Sequence, residues 1–141
     1  MAGTERTSIL RHFCCLGFFV AALCTAMVAQ TDETQLLSAN IPFYPPLARQ
    51  ARIYGVVTVS FTLPANAGEP INVEATSGHP MLKPAAVENV KTWHFRNNYT
   101  IDRTFEATFR YRLSSTEPRH VTFGSLDVEV VSPEPPPLEA R

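Results

Sequence analysis

The chain has 141 residues, of which 45% are hydrophobic and 18% are charged, and its formal net charge is -1. This length predicts one domain, and the composition is that of an ordinary globular protein. A net charge so close to zero gives no electrostatic reason to expect binding to nucleic acid.

The first 29 residues have the organisation of a targeting segment. Arg6 and Arg11 precede an uncharged, apolar run over residues 13–29. A basic start followed by an apolar stretch is typical of a secretory signal, which predicts export. The run of about 17 residues is also close to the length that spans a bilayer, so a membrane anchor formed by residues 13–29 is the alternative. The sequence leaves open whether this segment is cleaved.

Residues that would support catalysis or metal binding are sparse. All three cysteines lie in the targeting segment, so a cleaved chain would contain neither a disulfide nor a thiolate metal site. The histidines lack the spacing of a metal motif, and no nucleophile elbow or phosphate-binding glycine loop is present. We therefore expect no catalytic residues, no metal, no cofactor and no small-molecule substrate.

The elements that follow begin with an extended stretch and a short helix. Residues 30–40 are polar and are interpreted as a tether. Tyr44 and Pro45 lie in a stiff, extended stretch, because proline restricts its own φ and that of the residue before it. Residues 47–53 predict a short helix, and Gly55 is its expected stop because glycine readily adopts positive φ.

Two strands and a second helix come next. Residues 57–63 alternate apolar and polar side chains, and residues 71–76 do so more weakly. Turn residues between these strands, Gly68 among them, predict a hairpin. Residues 82–93 predict the second helix, since Pro84 suits a first helical turn and apolar residues recur at helical spacing.

The clearest alternation in the chain lies between Phe105 and Leu113. Apolar residues occupy one face and charged or polar residues the other, which is typical of a strand with one side in water. Residues 114–131 contain one further candidate strand. Residues 132–141 are rich in proline and are expected to form an extended, disordered tail.

The order helix, strand, strand, helix, strand resembles that of the TonB C-terminal domain family, and the match covers about residues 41–113. The motif residues that carry the resemblance are Tyr44 and Pro45 before the first helix, Gly55 after it, Gly68 in the hairpin, and Trp93 and Phe95 after the second helix.

The resemblance implies an α+β domain in which a small antiparallel sheet of three or four strands packs against two short helices. It also implies a protein-binding, non-enzymatic role in the periplasm, with energy transduction to outer-membrane transporters. The implied partner is the periplasmic segment of an outer-membrane TonB-dependent receptor. The alternative is a stand-alone periplasmic adaptor or homodimerisation module of the same fold, without energy transduction.

The length of the tether bears on this choice. Full energy transducers of the family carry a long spacer across the periplasm, whereas residues 30–40 reach at most about 36–40 Å when fully extended. A bilayer with its headgroups is about 40–45 Å thick. Even an anchored domain is therefore expected to stay near its own membrane.

We expect the partner to bind by strand addition, in which an extended peptide pairs with free backbone groups at a sheet edge. The strand with the clearest alternation is the candidate edge. Its expected partner-binding residues are Phe105, Glu106, Thr108, Arg110 and Arg112. The other interpretation of the two arginines is that they keep an exposed edge soluble. The segment ending at Val131 is expected to block docking if it covers this edge.

Overall fold

The computed structural model describes residues 34–137, so the targeting segment lies outside the described residues. The elements are β1 (Gln35–Ser38), α1 (Pro46–Gln50), β2 (Gly55–Leu63), β3 (Ile71–Ser77), α2 (Lys83–Val90), β4 (His94–Arg96), β5 (Arg103–Ser114), β6 (His120–Phe123) and β7 (Asp127–Pro133). Within residues 34–137, no helix is long and apolar enough to cross a membrane.

The main sheet has five strands in the order β3-β2-β5-β7-β6, and β1 and β4 pair in a separate two-stranded sheet. All neighbours in the main sheet are antiparallel except β5 and β7, which are parallel. The predicted α+β class with two helices is confirmed. The main sheet exceeds the expected three or four strands because the segment after Leu113 forms a hairpin of two strands, where the sequence predicted one.

The core lies between one face of this sheet and the helices. The alternation in β2 and β5 places every second side chain on that face, as predicted, and α2 covers it with apolar residues at helical spacing. Its fully buried members include Val57, Val59, Phe61, Leu63, Leu82, Ala86, Val90, Trp93, Ala107 and Phe109. The opposite face of β2 and β5 carries mainly polar and charged residues, so the sheet has one wet side.

Helix α1 ends earlier than the sequence predicted. The amide of Ile53 donates to the carbonyl of Ala48, and that of Arg52 donates to the carbonyl of Arg49. These two bonds form a Schellman motif, which requires positive φ at the residue after the C-cap. Arg52 fills that position with a φ of 53°. The expectation that Gly55 ends the helix is therefore wrong, and Gly55 is the first residue of β2.

Gly68 allows two parts of the chain to approach closely. Its carbonyl accepts a hydrogen bond of 2.8 Å from the amide of Phe95 in β4. A Cβ atom at this position would lie 2.2 Å from the carbonyl oxygen of Phe95, so only glycine fits without a shift of the backbone. Strand β4 in turn pairs with β1, which lies in the segment that the sequence assigned to a tether. A four-residue strand with two adjacent leucines gives no alternation to detect.

Candidate docking edges of the sheet

The strand that the sequence proposed as the docking edge is an interior strand over most of its length. β5 pairs with β2 on one side and with β7 on the other, with Thr108 opposite Asp127 and Ser114 opposite Pro133. The expectation of an open edge at Thr108, Arg110 and Arg112 is therefore wrong. The chain turns back after β5, and its own C-terminal strand occupies the far side of β5, meaning the side away from β2.

Part of β5 remains without a neighbour on that far side. The pairing with β7 begins at Thr108, and among residues 34–137 no strand lies along the far side of residues 103–107. The amide of Thr108 donates to the carbonyl of Leu126 at 2.9 Å, which fixes the direction of its backbone groups. Because alternate residues of a strand point their backbone groups to the same side, those of Thr104 and Glu106 also face outward there. We call residues 103–107 the open stretch.

The side chains of the open stretch differ in exposure. Glu106 and Thr104 are exposed on the wet face. Phe105 is partly buried and lies beside the rings of Phe61 and Tyr99, at centroid distances of 5.9 and 6.3 Å. Of the predicted partner-binding residues, Phe105 and Glu106 therefore lie beside free backbone groups, and Thr108 does not.

The two predicted arginines of β5 have different surroundings. Arg112 donates to Glu117 at 2.8 Å and to Glu129 of β7 at 3.1 Å. Hydrogen bonding from Arg112 lowers the pKa of Glu117 below its ordinary value of 4.5, and the same bonds raise the pKa of Arg112. Arg110 is exposed and forms no ion pair among the described residues. Arg112 thus links β7 to β5 through its ion pair with Glu129, whereas Arg110 places a charge on the wet face of the sheet.

The outer edges of the sheet are β3 and β6. β3 is irregular, because its register with β2 shifts at two places and Asn72 has a φ of 50°. Irregular edges of this kind resist pairing with another chain. β6 has four residues, so it offers a short edge. The sequence predicted a single strand within residues 114–131, so the β6 edge was not expected.

The motif residues support the sheet from the core side. Trp93 is fully buried, and its indole N–H donates to the side-chain carbonyl of Asn89 at 2.9 Å. The side-chain NH2 group of the same Asn89 donates to the backbone carbonyl of Asn40 at 2.8 Å. The ring of Tyr44 meets that of Tyr111 edge to face at 5.4 Å, and burial raises the pKa of Tyr44 to about 12. Sequence reasoning missed Asn89, because a polar residue in a helix carries no local sign of burial.

The side chains of metal-binding type among the described residues are not gathered into one cluster. No group of three or more His, Cys, Asp or Glu residues lies close enough to hold a metal ion in that part of the chain. His79 accepts a hydrogen bond from the amide of Met81, and His94 lies 3.8 Å from Glu69. Both histidines therefore have local surface contacts.

Comparison with known proteins identifies the domain. The family model described as Gram-negative bacterial TonB protein C-terminal matches residues 40–113. The solution NMR structure of the Pseudomonas aeruginosa TonB CTD is similar with a TM-score of 0.50 and 23% sequence identity, covering 64% of this chain and 95% of that one. No curated protein matches the chain. The matched segment ends at Leu113, one residue before the end of β5.

Proposed function

Since the chain belongs to the Gram-negative bacterial TonB protein C-terminal family, we propose that it is an exported protein-binding domain of the cell envelope that docks an extended segment of a partner by strand addition. The proposed partner is the periplasmic segment of an outer-membrane receptor, and the proposed role is in transport across that membrane. The family supports a protein-binding role, and the open stretch of β5 is the observation that favours strand addition.

The open stretch has what strand addition requires. The backbone donors and acceptors of Thr104 and Glu106 face outward and have no strand beside them among residues 34–137. An incoming peptide satisfies these groups with main-chain hydrogen bonds, while its side chains meet those of β5 on either face. Five residues of strand span about 17 Å, so this contact is short. We expect moderate affinity from the open stretch alone.

The alternative is an adaptor or homodimerisation module without energy transduction, and the short tether favours it. β1 begins at Gln35, so only residues 30–34 lie between the apolar run and the folded domain. Five residues reach at most about 18 Å, which is less than half the thickness of a bilayer with its headgroups. Mapping the N-terminus of the exported protein separates the two roles, because a cleaved chain has no mechanical link to the inner membrane.

Proline substitution tests the docking edge. Glu106→Pro removes an amide that faces outward and leaves the pairing of β5 with β2 intact, so it should abolish capture of the partner from envelope extract. Val121→Pro is the matched control, since the backbone of Val121 faces away from β7 on the outer edge of β6. Circular dichroism checks that both variants are folded.

The outcomes of this comparison are distinct. Loss of the partner with Glu106→Pro alone supports the open stretch as the docking edge. Loss of the partner with Val121→Pro alone indicates that the partner docks on β6 instead. If a single partner, identified by mass spectrometry, is captured equally by both variants and by the wild type, strand addition at either place is wrong.

A further inference from the structure

We propose that β7 is a resident substitute for a partner peptide, and that the C-terminal hairpin, β6 and β7 (residues 120–133), is exchangeable with an extended peptide of the same pattern. The expected ligand runs parallel to β5 and carries branched apolar residues on either side of an acidic one. This inference rests on the proposed function, because it concerns the same far side of β5 beyond the open stretch.

The position of the hairpin is the first observation. The family match ends at Leu113, so the hairpin is an addition to the matched domain. It nevertheless lies against β5, the edge strand of the matched region, in parallel register over Thr108–Ser114. The hairpin thus occupies in cis the continuation of the open stretch. With the hairpin released, the far side of β5 becomes one edge of 12 residues, the full length of the strand.

The side chains of β7 show what this side of β5 accepts. Val128 and Val130 are buried on the core side, at 2% and 0% exposure. Glu129 lies between them on the wet face and bonds to Arg112. The accepted pattern is therefore a branched apolar residue, an acidic residue and a second branched apolar residue. Strand addition reads this pattern through alternate side chains, as it does in other peptide complexes.

The ion pairs that hold the hairpin to the rest of the domain are weak enough to break by local opening, without global unfolding. Arg112 bonds to Glu117 and Glu129 with side chains that are 33–41% exposed, and Arg52 lies 3.7 Å from Glu134 with both side chains more exposed still. Ion pairs in contact with water contribute little to stability. The connection over residues 115–119 is mostly exposed, so it is free to act as a hinge. Elements with such contacts open before the core does.

Amide exchange in the full-length chain tests whether the hairpin opens by itself. The amides of Thr108, Arg110 and Arg112 face β7, whereas those of Phe109 and Tyr111 face β2. If the hairpin leaves while the core stays folded, the first set should exchange at least about tenfold faster than the second. Equal protection of both sets means that β7 leaves only on global unfolding, and the proposal is then wrong.

A synthetic peptide with the sequence of residues 126–133 is the binding probe. Glu117→Ala removes an attachment of the hairpin and leaves Arg112 able to bond to the acidic residue of the peptide. This variant should raise the affinity for the peptide at least about tenfold over the wild type, because the tethered hairpin competes at high effective concentration. Arg119→Ala is the matched control, an exposed arginine of the same connection with no ion pair among the described residues. A peptide with serine at the positions of Val128 and Val130 should not bind.

Two results overturn the proposal in the binding experiment. Equal affinity of the peptide for the wild type and Glu117→Ala shows that the hairpin does not compete. Conversion of Glu117→Ala into a dimer that excludes the peptide identifies a second copy of the chain as the occupant. Neither measurement involves the natural partner, so failure here is distinguishable from failure of the proposed function, which the Glu106→Pro comparison decides.

Discussion

The sheet is held together differently at its centre and at its C-terminal side. Under α2, aromatic rings contact one another in a continuous chain. The centroid of the Trp93 ring lies 5.8 Å from that of Phe109, 5.9 Å from that of Phe95 and 6.1 Å from that of Phe61. The C-terminal hairpin contributes valines to the core and half-exposed ion pairs to the wet face. Large rings in edge and stacked contacts add energy beyond their buried area, whereas small branched side chains contribute burial alone.

This difference suggests a division of labour along one sheet. The aromatic centre gives the domain its stability and joins elements far apart in the sequence, since Phe61, Phe95 and Phe109 lie on three different strands. The hairpin covers the far side of β5 with contacts that are weaker than those of the aromatic centre. The sheet therefore combines a rigid part with a part that local fluctuations reach first.

The largest effect should come from the aromatic centre. Trp93→Ala removes a fully buried ring together with its hydrogen bond to Asn89, and should lower the free energy of unfolding by about 3–5 kcal/mol. Urea denaturation followed by circular dichroism measures it. Ile41→Ala is the control, since Ile41 is 77% exposed and its truncation should cost less than about 0.5 kcal/mol. A loss below about 1 kcal/mol for Trp93→Ala would contradict the assignment of the core.

The hairpin should respond less strongly to truncation. Val130 is fully buried, and Val130→Ala should cost about 2 kcal/mol, since two methyl groups lose their contacts. The control is Val56→Ala in β2, where the side chain is 47% exposed and the cost should stay below about 0.5 kcal/mol. If Val130→Ala matches Trp93→Ala in urea denaturation, the two regions are equally cohesive and the comparison fails.

Two buried tyrosines should behave in opposite ways. The hydroxyl of Tyr44 donates to the carbonyl of Ile53, so Tyr44→Phe should cost about 1 kcal/mol. The hydroxyl of Tyr111 is buried without a hydrogen-bond partner among the described residues, so Tyr111→Phe should be neutral or slightly stabilising. Thermal denaturation of both variants beside the wild type measures the difference. Equal losses would show that the two hydroxyls have equivalent surroundings.

The smallest effect should be the pH dependence of the ion pair between Arg112 and Glu117, which helps to hold the hairpin. The pKa of Glu117 lies below 4.5 in the folded protein because Arg112 bonds to its carboxylate. A lowered pKa stabilises the fold above pH 4.5, and this contribution is lost as the pH falls through the folded value. The wild type should therefore lose slightly more stability than Arg112→Ala on acidification through this range. Denaturation at pH values above and below 4.5 measures it, with Arg119→Ala expected to follow the wild type.

Local patterns in the sequence were sufficient for the elements of the matched domain. The alternation from Phe105 to Leu113 predicted a strand with one wet face, and helical spacing from Leu82 to Trp93 predicted the covering helix. These features depend on residues that are close together in the sequence. The same is true of Gly68, although its contact with Phe95 shows only in the structure.

Strand neighbours could not be derived in the same way. An interior strand and an edge strand show the same alternation when one face of the sheet is wet, so the pattern of β5 does not reveal β7 beside it. The pairing partner lies beyond a connection of 12 residues, from Ser115 to Leu126, that contains β6. Arg52 is a second case, because a positive φ at arginine follows from the closing bonds of α1 and not from its own preference.

Trp93 has a practical consequence for anyone who studies this protein. It is the chain's single tryptophan, and its indole N–H is held by Asn89 under the aromatic centre. Its fluorescence emission should shift to longer wavelength when water reaches the ring, and should stay unchanged when only the C-terminal strands come away. Trp93 is thus an intrinsic optical reporter that distinguishes unfolding of the core from release of the C-terminal hairpin, with no dye attached.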